Sequence, residues 1–496
     1  MTDHGPIEVR RSIHRLRPRP ERVVAKLFVP GQEGLIEGES RAGSVMERVL
    51  ALDDEEVAAT LREVLALSAE RHHDLPAVFA EHFDLVAHRL VDPRELSADR
   101  KQLVGAYFTQ EFAVEAAAVC NPSMVIHPDQ HGVGQGEARF VMSLRAIGEG
   151  HLSSIEFRTG VIDQAGDIRL DDPGTHLFTP RLGQAHYRRD LFHRVLETLG
   201  DDGSNAAFVL KSLPDPFTSE DLQGALVALR DQMVTRRRAA ETIERIAWIA
   251  ASNYEVSFPE GSIIAERVLT PSAPTESHGM EDARFVCFVE DDGTTSYLAP
   301  YTAYDGVHVA PQLLSTVDFC TFTSSQLTGK AATNKGMALF PRRIGGLYVA
   351  LSRWDRTTNA LVTSMDLTRW DRPISLPRNP EPWNLVQVGN CGSPIECPAG
   401  WIVLTHGVGP MRRYAIGADL LDLHDPTRVI GQLSEPLVVP AADERDGYVP
   451  NVVYSCGAMV HGDNIVLPYG IGDANIGLAT IALDRLVDRL TSRSFV

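Results

Sequence analysis

The stretch GMEDARFVCFVEDDGTTSYLAPYTAYDG, residues 279–306, combines a charged loop with two β-prone segments. The run from Phe285 to Val289 is apolar and rich in aromatic and β-branched residues, which favour strands. Asp291-Asp292-Gly293 follows as a hairpin turn signal, and a second β-prone run begins at Tyr297. The stretch therefore predicts a polar loop, a strand, a tight turn and a second strand.

Three charged residues stand just before the first of these strands: Glu281, Asp282 and Arg284. Side chains at this point have a rigid scaffold beneath them and open space above, which is how functional sites are usually built. Taken alone, however, the three charges are better explained by an ordinary surface ion pair.

The same β-unit recurs along the chain. Each copy has a turn, followed by four to six alternating apolar residues that end at a polar one. The five copies are EARFVMSLR ending at Arg145, DDGTTSYLAPY at Tyr301, IGGLYVALSR at Arg353, PAGWIVLTH at His406 and HGDNIVLPY at Tyr469. The last four ends lie 52 to 63 residues apart, a period that indicates a propeller, here with five blades. A β-sandwich is the rival fold, but it would not need a polar residue at the same point of each repeat.

Helical patterns occupy the N-terminal quarter and the gap between the first two copies. Residues 44–116 predict helices, with capping boxes at Ser44/Glu47 and at Asp53/Glu56 and with a further helix over 102–119. The predicted organisation follows: an N-terminal arm and helical region over 1–116, a first blade over 117–183, a helical insertion that packs on the N-terminal helices over 184–256, and the remaining blades over 257–496.

Composition excludes several classes of function. The formal net charge of −19 over 496 residues argues against a nucleic-acid partner and against docking on anionic membranes. No apolar run reaches the roughly 18 residues of a membrane helix, and the N-terminus lacks the apolar core of a secretory signal. Six cysteines without C-x-x-C spacing predict free thiols in a reducing compartment, so we expect a cytoplasmic protein.

If the repeats form a ring, distant polar residues meet in one pocket: Asn121, Arg145, Asp282, Arg284, Tyr301, Lys335, Arg353, His406 and Asp473. Carboxylates suit general acid chemistry at a glycosidic oxygen, and clustered cations suit an anion such as phosphate. The combination suits phosphorolysis of a glycoside. Taken singly, each residue except Asp282 is better explained by a structural role. Because dinucleotide, Walker, H-E-x-x-H and G-x-S-x-G motifs are missing from the sequence, we expect no cofactor and no metal site.

Several motifs in one order give the chain a family resemblance: CNPSMV, GMEDARF, YTAYDG, NKGMALFPRRIGGLY, GSPIECPAGWIVLTHGV, VPNVVYSCGA and YGIGDANIGLATI. From about Asn121 to Leu490, outside the helical insertion, the sequence resembles glycoside hydrolase family 130, the β-mannoside phosphorylases and β-mannosidases. GMEDARF is similar to the family's G-x-E-D-P-R signature, with Ala283 in place of proline.

The resemblance implies a five-bladed propeller in which Asp282 is the general acid, acting through the 3-hydroxyl of the mannosyl residue with inversion at the anomeric carbon. It also implies roles for further residues. The expected substrate ligands are Asn121, Arg145, Glu281, Arg284, Tyr301, Asp305 and Asp473, and the expected phosphate ligands are Lys335, Arg353 and His406.

One departure from the family pattern keeps an alternative open. Many phosphorylases of the family carry a lysine where this chain has Gln387, and the family's hydrolases use carboxylates that activate water, for which Glu396 is a candidate. The resemblance therefore implies a β-mannoside oligosaccharide and inorganic phosphate as co-substrates, with a β-mannosidase as the alternative. A carbohydrate-binding propeller without catalysis is a third hypothesis. The helical regions are candidates for a homo-oligomer interface or for shaping the leaving-group subsites.

Overall fold

The computed structural model describes residues 7–31, 41–90, 92–201 and 203–492. Over these ranges the chain is mainly β, as the alternating patterns predict, with helices at three places. The stretches 1–6 and 32–40 of the predicted N-terminal arm lie outside the described residues.

Four N-terminal helices form a small layer with its own apolar core, and their bounds are α1 Arg41–Leu50, α2 Asp54–Ser68, α3 Leu75–Val86 and α4 Ala98–Tyr107. The predicted capping box at Asp53 is confirmed, because its side chain accepts from the Glu56 N–H while the Glu56 carboxylate accepts from the Asp53 N–H. The box predicted at Ser44 is wrong, since α1 already begins at Arg41.

The helix predicted over 102–119 ends at Tyr107, and the residues after it form strands. Thr109–Ala113 pairs with Val23–Leu27, and Ala118–Ile126 enters the first large sheet. Phe112 and Val119 are buried in the core beneath that sheet, so tertiary packing of aromatic and β-branched residues outweighs the helical pattern here.

Five antiparallel groups of strands carry the rest of the chain, and we call them units 1 to 5. Unit 1 contains Ala118–Ile126, Ala138–Ile147, Ser153–Ile162, Ile168–Leu170 and Val268–Leu269. Unit 2 contains Arg181–Leu182, Tyr254–Ser257, Gly279–Glu281, Val286–Val289, Thr295–Tyr304, Val309–Thr316 and Thr321–Gln326. Unit 3 contains Ala338–Leu339, Tyr348–Ser352, Ala360–Ser364 and Ile374–Ser375.

Unit 4 contains Gln387–Asn390, Ile395–Cys397, Gly400–Val408, Tyr414–Leu421 and Val429–Gln432. Unit 5 contains Val453–Tyr454, Met459–His461, Asn464–Ile471 and Asn475–Ala482, together with the N-terminal strand Val9–Leu16. Two short pairs complete the strands: Val23–Leu27 with Thr109–Ala113, and His186–Tyr187 with Phe217–Thr218.

Short parallel contacts connect the units. Units 1 and 2 belong to one twelve-stranded sheet, and among the described residues their strands are paired at the parallel contact between Ser153 and Gly279. A parallel bridge joins Val289 of unit 2 to Arg342, next to unit 3, and another joins Ser123 of unit 1 to Gly457 of the unit 5 region. The first and last units are therefore in contact.

The hairpin predicted at residues 279–306 is confirmed. Val289 pairs with Thr295, and the Gly293 N–H donates to the Glu290 carbonyl at 2.9 Å to close the turn. Gly293 has a φ of +85°, which glycine adopts without the strain of a side chain.

Four helices are inserted between the unit 2 strands Arg181–Leu182 and Tyr254–Ser257: α5 Arg189–Thr198, α6 Ser204–Lys211, α7 Ser219–Arg230 and α8 Ala239–Ala251. They enclose a separate apolar core. Arg194 of α5 contacts the Asp366 carboxylate at 2.9 Å and the Thr368 hydroxyl at 2.8 Å, beside unit 3. Packing of this insertion on the N-terminal helices stays a prediction. The last helix, α9 Leu483–Thr491, buries Leu486 and Leu490 in the core shared by units 4 and 5.

A buried cluster of two arginines and two glutamates fixes the N-terminal arm to unit 1. The Arg22 guanidinium lies 2.9 Å from both the Glu115 and the Glu156 carboxylates, and Arg158 pairs with the same two carboxylates. Arg22, Glu115 and Glu156 are fully buried. Such charges are stable in the interior only while each keeps its partners.

The six cysteines are free thiols, as predicted. Within the described ranges, no helix is both long and apolar enough to cross a membrane.

Candidate functional site

A polar cavity of about 200 Å³ collects side chains from all five units. Its lining residues are Asn121, Arg145, Asp282, Arg353, Gln387, His406, Arg412, Tyr414, Val449, Val452, Tyr454 and Asp473. Six of the predicted site residues are thus brought together: Asn121, Arg145, Asp282, Arg353, His406 and Asp473. They come from segments more than 300 residues apart in the chain.

Four of the polar lining residues stand on left-handed backbone, and one of them is Arg412, with a φ of 54°. Asn121, Asp282 and Asp473 have φ values of 49°, 58° and 49°. Asn121 lies at a register shift within the first strand of unit 1, and Asp282 follows Gly279–Glu281. Asp473 lies in the turn between Asn464–Ile471 and Asn475–Ala482 of unit 5. Asn and Asp tolerate this conformation better than other residues with a side chain, at a cost of about 1–2 kcal/mol each. Strain of this kind concentrates at functional sites.

Asp282 is the most strongly held carboxylate of the cavity. It accepts a hydrogen bond from Asn121 Nδ2, and one of its oxygens lies 3.5 Å from Arg145 Nη1. Burial raises the pKa of Asp282. The charges of Arg145, Arg284 and Lys335 and the Asn121 hydrogen bond together lower it by more than burial raises it, so the pKa lies below its ordinary value. Asp282 is therefore ionised at neutral pH in this site.

Asp473 has the opposite electrostatic environment. Burial and the nearby Asp282 charge raise its pKa to about 6, although Arg145 and Arg412 act against that shift. The cavity thus contains two carboxyl groups whose pKa values are driven apart, an arrangement that is typical of acid–base sites.

Arg145 and Lys335 are both bound to Glu281. Arg145 Nη2 lies 2.7 Å from Glu281 Oε1, Lys335 Nζ pairs with Glu281 Oε2, and the Ser153 hydroxyl accepts from Arg145 Nε at 2.9 Å. Glu281 and Lys335 do not line the cavity. Glu281 therefore orients Arg145 rather than facing a ligand. The same carboxylate neutralises the charge of Lys335 outside the cavity.

Arg284 lies beneath the cavity and is almost completely buried. It donates to the Asp282 carbonyl at 2.9 Å and to the Tyr454 hydroxyl at 2.8 Å. Its contact to Asp282 is through the backbone, so it fixes the loop that carries this carboxylate.

Arg353 and His406 line the same end of the cavity, where Arg353 carries the positive charge. Arg353 Nη1 donates to His406 Nε2 at 2.9 Å, and His406 Nδ1 donates to the Asn390 carbonyl at 3.1 Å. Burial, with the charges of Arg353 and Arg284, holds the pKa of His406 well below its ordinary value, so the imidazole is neutral at neutral pH. Arg353 Nε is buried and has no hydrogen-bond partner among the described residues.

Tyr301 and Asp305 are not brought to the cavity. Tyr301 is buried, and its hydroxyl is bound to the Glu276 carboxylate and to Ser324 Oγ at 2.9 Å. Asp305 accepts from the Val307 and His308 N–H groups of its own turn. The expected substrate contacts of both residues are thus replaced by bonds within the protein.

Tyr469, the last of the repeat ends, is buried in the same way as Tyr301. Its hydroxyl donates to Glu444 at 2.7 Å, and in both tyrosine–glutamate pairs the glutamate precedes the tyrosine by 25 residues. Three of the five repeat ends therefore reach the cavity, and two are closed off by a glutamate from the preceding loop.

The carboxylate considered for water activation lies elsewhere. Glu396 is half-exposed and forms a two-point ion pair with Arg342, at 2.6 and 2.8 Å. It does not line the cavity, whereas Gln387 does.

Five lining residues were not predicted from the sequence: Arg412, Tyr414, Val449, Val452 and Tyr454. Tyr454 lies in VPNVVYSCGA, one of the quoted motifs, but its position in that motif gave no sign of its contact with Arg284. Arg412 lies in the turn directly after the His406 strand, where a charged residue is usually solvated.

Comparison with known proteins identifies relatives for the second half of the chain. A family model described as beta-1,4-mannooligosaccharide phosphorylase (Glyco_hydro_130) matches residues 249–492. A 1,2-beta-oligomannan phosphorylase of Thermoanaerobacter sp. (strain X514) is 35% identical over 227 residues, which is 44% of this chain and 72% of that protein. A beta-1,2-mannobiose phosphorylase of the same organism is 32% identical over 259 residues, covering 49% of this chain and 80% of the relative.

Among solved structures, the beta-1,2-mannobiose phosphorylase of Listeria innocua in complex with beta-1,2-mannobiose aligns with a TM-score of 0.44 at 20% sequence identity. The alignment covers 77% of this chain and 94% of that one. The sequence relatives and the family model agree with each other, and with the motifs that surround Asp282 and Asp473. The chain therefore belongs to glycoside hydrolase family 130.

Proposed function

We propose that this protein cleaves β-mannosides with inorganic phosphate, inverting the anomeric carbon to give α-mannose 1-phosphate. The observation that carries the proposal is the single cavity in which two carboxylates, Asp282 and Asp473, lie with Arg145, Arg353 and His406. Cleavage of a glycosidic bond requires an acid that protonates the leaving oxygen, and binding of phosphate requires cationic side chains. The names of the relatives support the same reaction type.

In the proposed reaction, a phosphate oxygen attacks the anomeric carbon, and the bond from that carbon to the glycosidic oxygen breaks. The leaving oxygen takes a proton that Asp282 supplies through the 3-hydroxyl of the mannosyl residue. Asn121, Arg145 and Asp473 hold that residue in the −1 subsite, and Arg353 and His406 hold the phosphate. Glu281 and Arg284 act one step further out, by orienting Arg145 and the Asp282 loop.

The acid role sets a condition on protonation. Asp282 has a lowered pKa in this site, so only a small fraction carries the proton at neutral pH. We therefore expect the kcat/KM for the mannoside to be highest on the acidic side of neutrality and to fall as the pH rises.

We also propose that the five units form a five-bladed propeller with the cavity at its central channel. Every unit contributes at least one lining residue, and units 1 and 5 are linked by the parallel bridge between Ser123 and Gly457. The Cys456 N–H donates to the Pro122 carbonyl at 2.8 Å across the same junction. An X-ray crystal structure with units 1 and 5 apart would exclude this arrangement.

One assay separates phosphorolysis from hydrolysis. The protein is incubated with β-1,2-mannobiose, β-1,4-mannobiose or mannosyl-glucose, each with and without inorganic phosphate, and the products are followed by ³¹P and ¹H NMR. We expect α-mannose 1-phosphate to form only with phosphate. Free mannose that forms equally well without phosphate would instead identify a β-mannosidase. The absence of any turnover would favour a carbohydrate-binding protein.

A further inference from the structure

Arg412 lies in a tight hairpin loop at the mouth of the cavity. The loop 409–413 joins the strand that carries His406 to the strand that begins at Tyr414, and it is closed by the Gly409 N–H donating to the Arg413 carbonyl at 3.0 Å. Met411 and Arg412 have φ values of 55° and 54°. Two successive side-chain-bearing residues in the left-handed region cost about 1–2 kcal/mol each, so the surrounding structure must hold the loop in this form.

The other cations near the cavity are already engaged. Arg145 is bound to the Glu281 and Asp282 carboxylates, and Lys335 is bound to Glu281. Arg284 is buried beneath the Asp282 loop. The two remaining guanidinium groups, Arg353 and Arg412, have no carboxylate partner within 4 Å among the described residues.

The Arg412 side chain lies near Asp473. Its guanidinium is close enough to Asp473 to act on the ionisation of that carboxyl group. Arg412 lines the cavity and is also exposed to solvent. It therefore stands where an anion entering from solvent meets the first positive charge.

We propose that Arg412 is a phosphate ligand, which together with Arg353 holds the phosphate dianion between two guanidinium groups. This inference rests on the proposed function. A guanidinium presents parallel N–H donors that match the oxygens of a phosphate, and two such groups balance a charge of about −2. Arg353 provides the buried half of the subsite. Arg412 provides the half at the mouth and closes over the phosphate after it enters.

The test compares Arg412→Ala with a matched control. Arg413→Ala removes the adjacent exposed arginine, which does not line the cavity. Loss of a charge-assisted hydrogen bond is expected to raise the KM for phosphate about 10- to 100-fold in Arg412→Ala. The KM for the mannoside should stay within about twofold, and Arg413→Ala should leave both constants near their original values.

A second variant tests whether the charge itself matters. Gln387 is a neutral residue of the same cavity, so Gln387→Lys returns a cation to it. The double variant Arg412→Ala/Gln387→Lys should recover at least part of the lost phosphate affinity. An effect of Arg412→Ala on loop folding would not be reversed by a lysine on another strand.

A direct measurement of phosphate binding tests the role of Arg412 without requiring catalytic turnover. Titration calorimetry with inorganic phosphate alone should give weaker binding to Arg412→Ala than to the original protein and to Arg413→Ala. Unchanged phosphate binding and an unchanged KM for phosphate would overturn the role of Arg412. A rise confined to the KM for the mannoside would also overturn it and would assign Arg412 to the sugar. If the original protein binds phosphate but releases free mannose without it, the proposed function fails while the Arg412 test still stands.

Discussion

Replacing Asp473 by Asn should stabilise the protein, and the gain should depend on pH. Burial and the Asp282 charge raise the Asp473 pKa from 3.8 to about 6, so ionising this carboxyl group in the folded protein has a free-energy cost. The raised pKa favours the fold fully below pH 3.8, and that advantage disappears as the pH rises through 6. The difference between the two pKa values corresponds to about 3 kcal/mol at neutral pH. Asn adopts the left-handed φ of this position readily and carries no charge.

The difference in unfolding free energy between the variant and the original protein should grow by about 2 kcal/mol between pH 4.5 and pH 7. Near 2.1 cal/mol/K per residue of unfolding entropy, this corresponds to a relative Tm gain of about 2 °C if the whole chain unfolds together. Differential scanning calorimetry in matched buffers measures it. Asp305→Asn is the control. The N–H of His308 holds the pKa of Asp305 below its ordinary value, so this carboxylate stabilises the fold when it is ionised. The Tm of Asp305→Asn relative to the original protein should therefore fall, not rise, as the pH increases. A Tm difference for Asp473→Asn that does not vary with pH would refute the reasoning.

Three further variants test the site and the fold. Asp282→Asn should lower kcat for phosphorolysis by at least about 10²-fold, while circular dichroism stays unchanged; a fully active variant would remove Asp282 from the acid role. Arg353→Ala should raise the KM for phosphate about 10-fold or more, measured by initial rates, and an unchanged phosphate dependence would contradict its assignment. Arg22→Met should cost about 3–5 kcal/mol in urea unfolding, because it leaves the buried Glu115 and Glu156 carboxyl groups with one arginine, Arg158, instead of two; a loss below 1 kcal/mol would show that the buried charges rearrange.

Local patterns predicted the β-units well because each pattern is satisfied within a short stretch. The Asp-Asp-Gly turn and the capping box at Asp53 are both formed as the sequence indicates. The helix predicted over 102–119 failed because Phe112 and Val119 are drawn into a core built mostly from distant strands. The outcome at that point was decided by tertiary packing, which periodicity does not contain.

The candidate site was predicted in part because repeat spacing identifies which strands are equivalent. Arg145, Arg353 and His406 line one cavity, as equivalence requires. Spacing gives no information about what lies above each strand end, and so it could not distinguish these residues from Tyr301. The left-handed backbone at Asn121 and Arg412 has no recognisable sequence signal either, since Asn and Arg occur in many loops.

The two buried tyrosines explain why the cavity is asymmetric. Tyr301 and Tyr469 each follow a proline. Each is bound by a glutamate 25 residues earlier, Glu276 or Glu444, which lies at the end of a short helical turn. In units 2 and 5 the side chain at the strand end is therefore bound within the protein and does not reach the cavity. They reach the cavity instead through the carboxylates of the adjacent loops, Asp282 and Asp473.

Among the described residues, no glutamate closes off the strand ends of units 1, 3 and 4 from the cavity, and there the side chains that face it are basic: Arg145, Arg353 and His406. The carboxylates thus come from the two units whose strands are closed, and the arginines and the histidine come from the three whose strands are open. This division leaves Arg353 without a carboxylate partner within 4 Å among the described residues, whereas Arg145 pairs with Glu281 and Asp282 across the junction of units 1 and 2. It gives the site an acidic part beside Asp473 and a basic part beside His406, which is the polarity that a sugar and a phosphate bound side by side require.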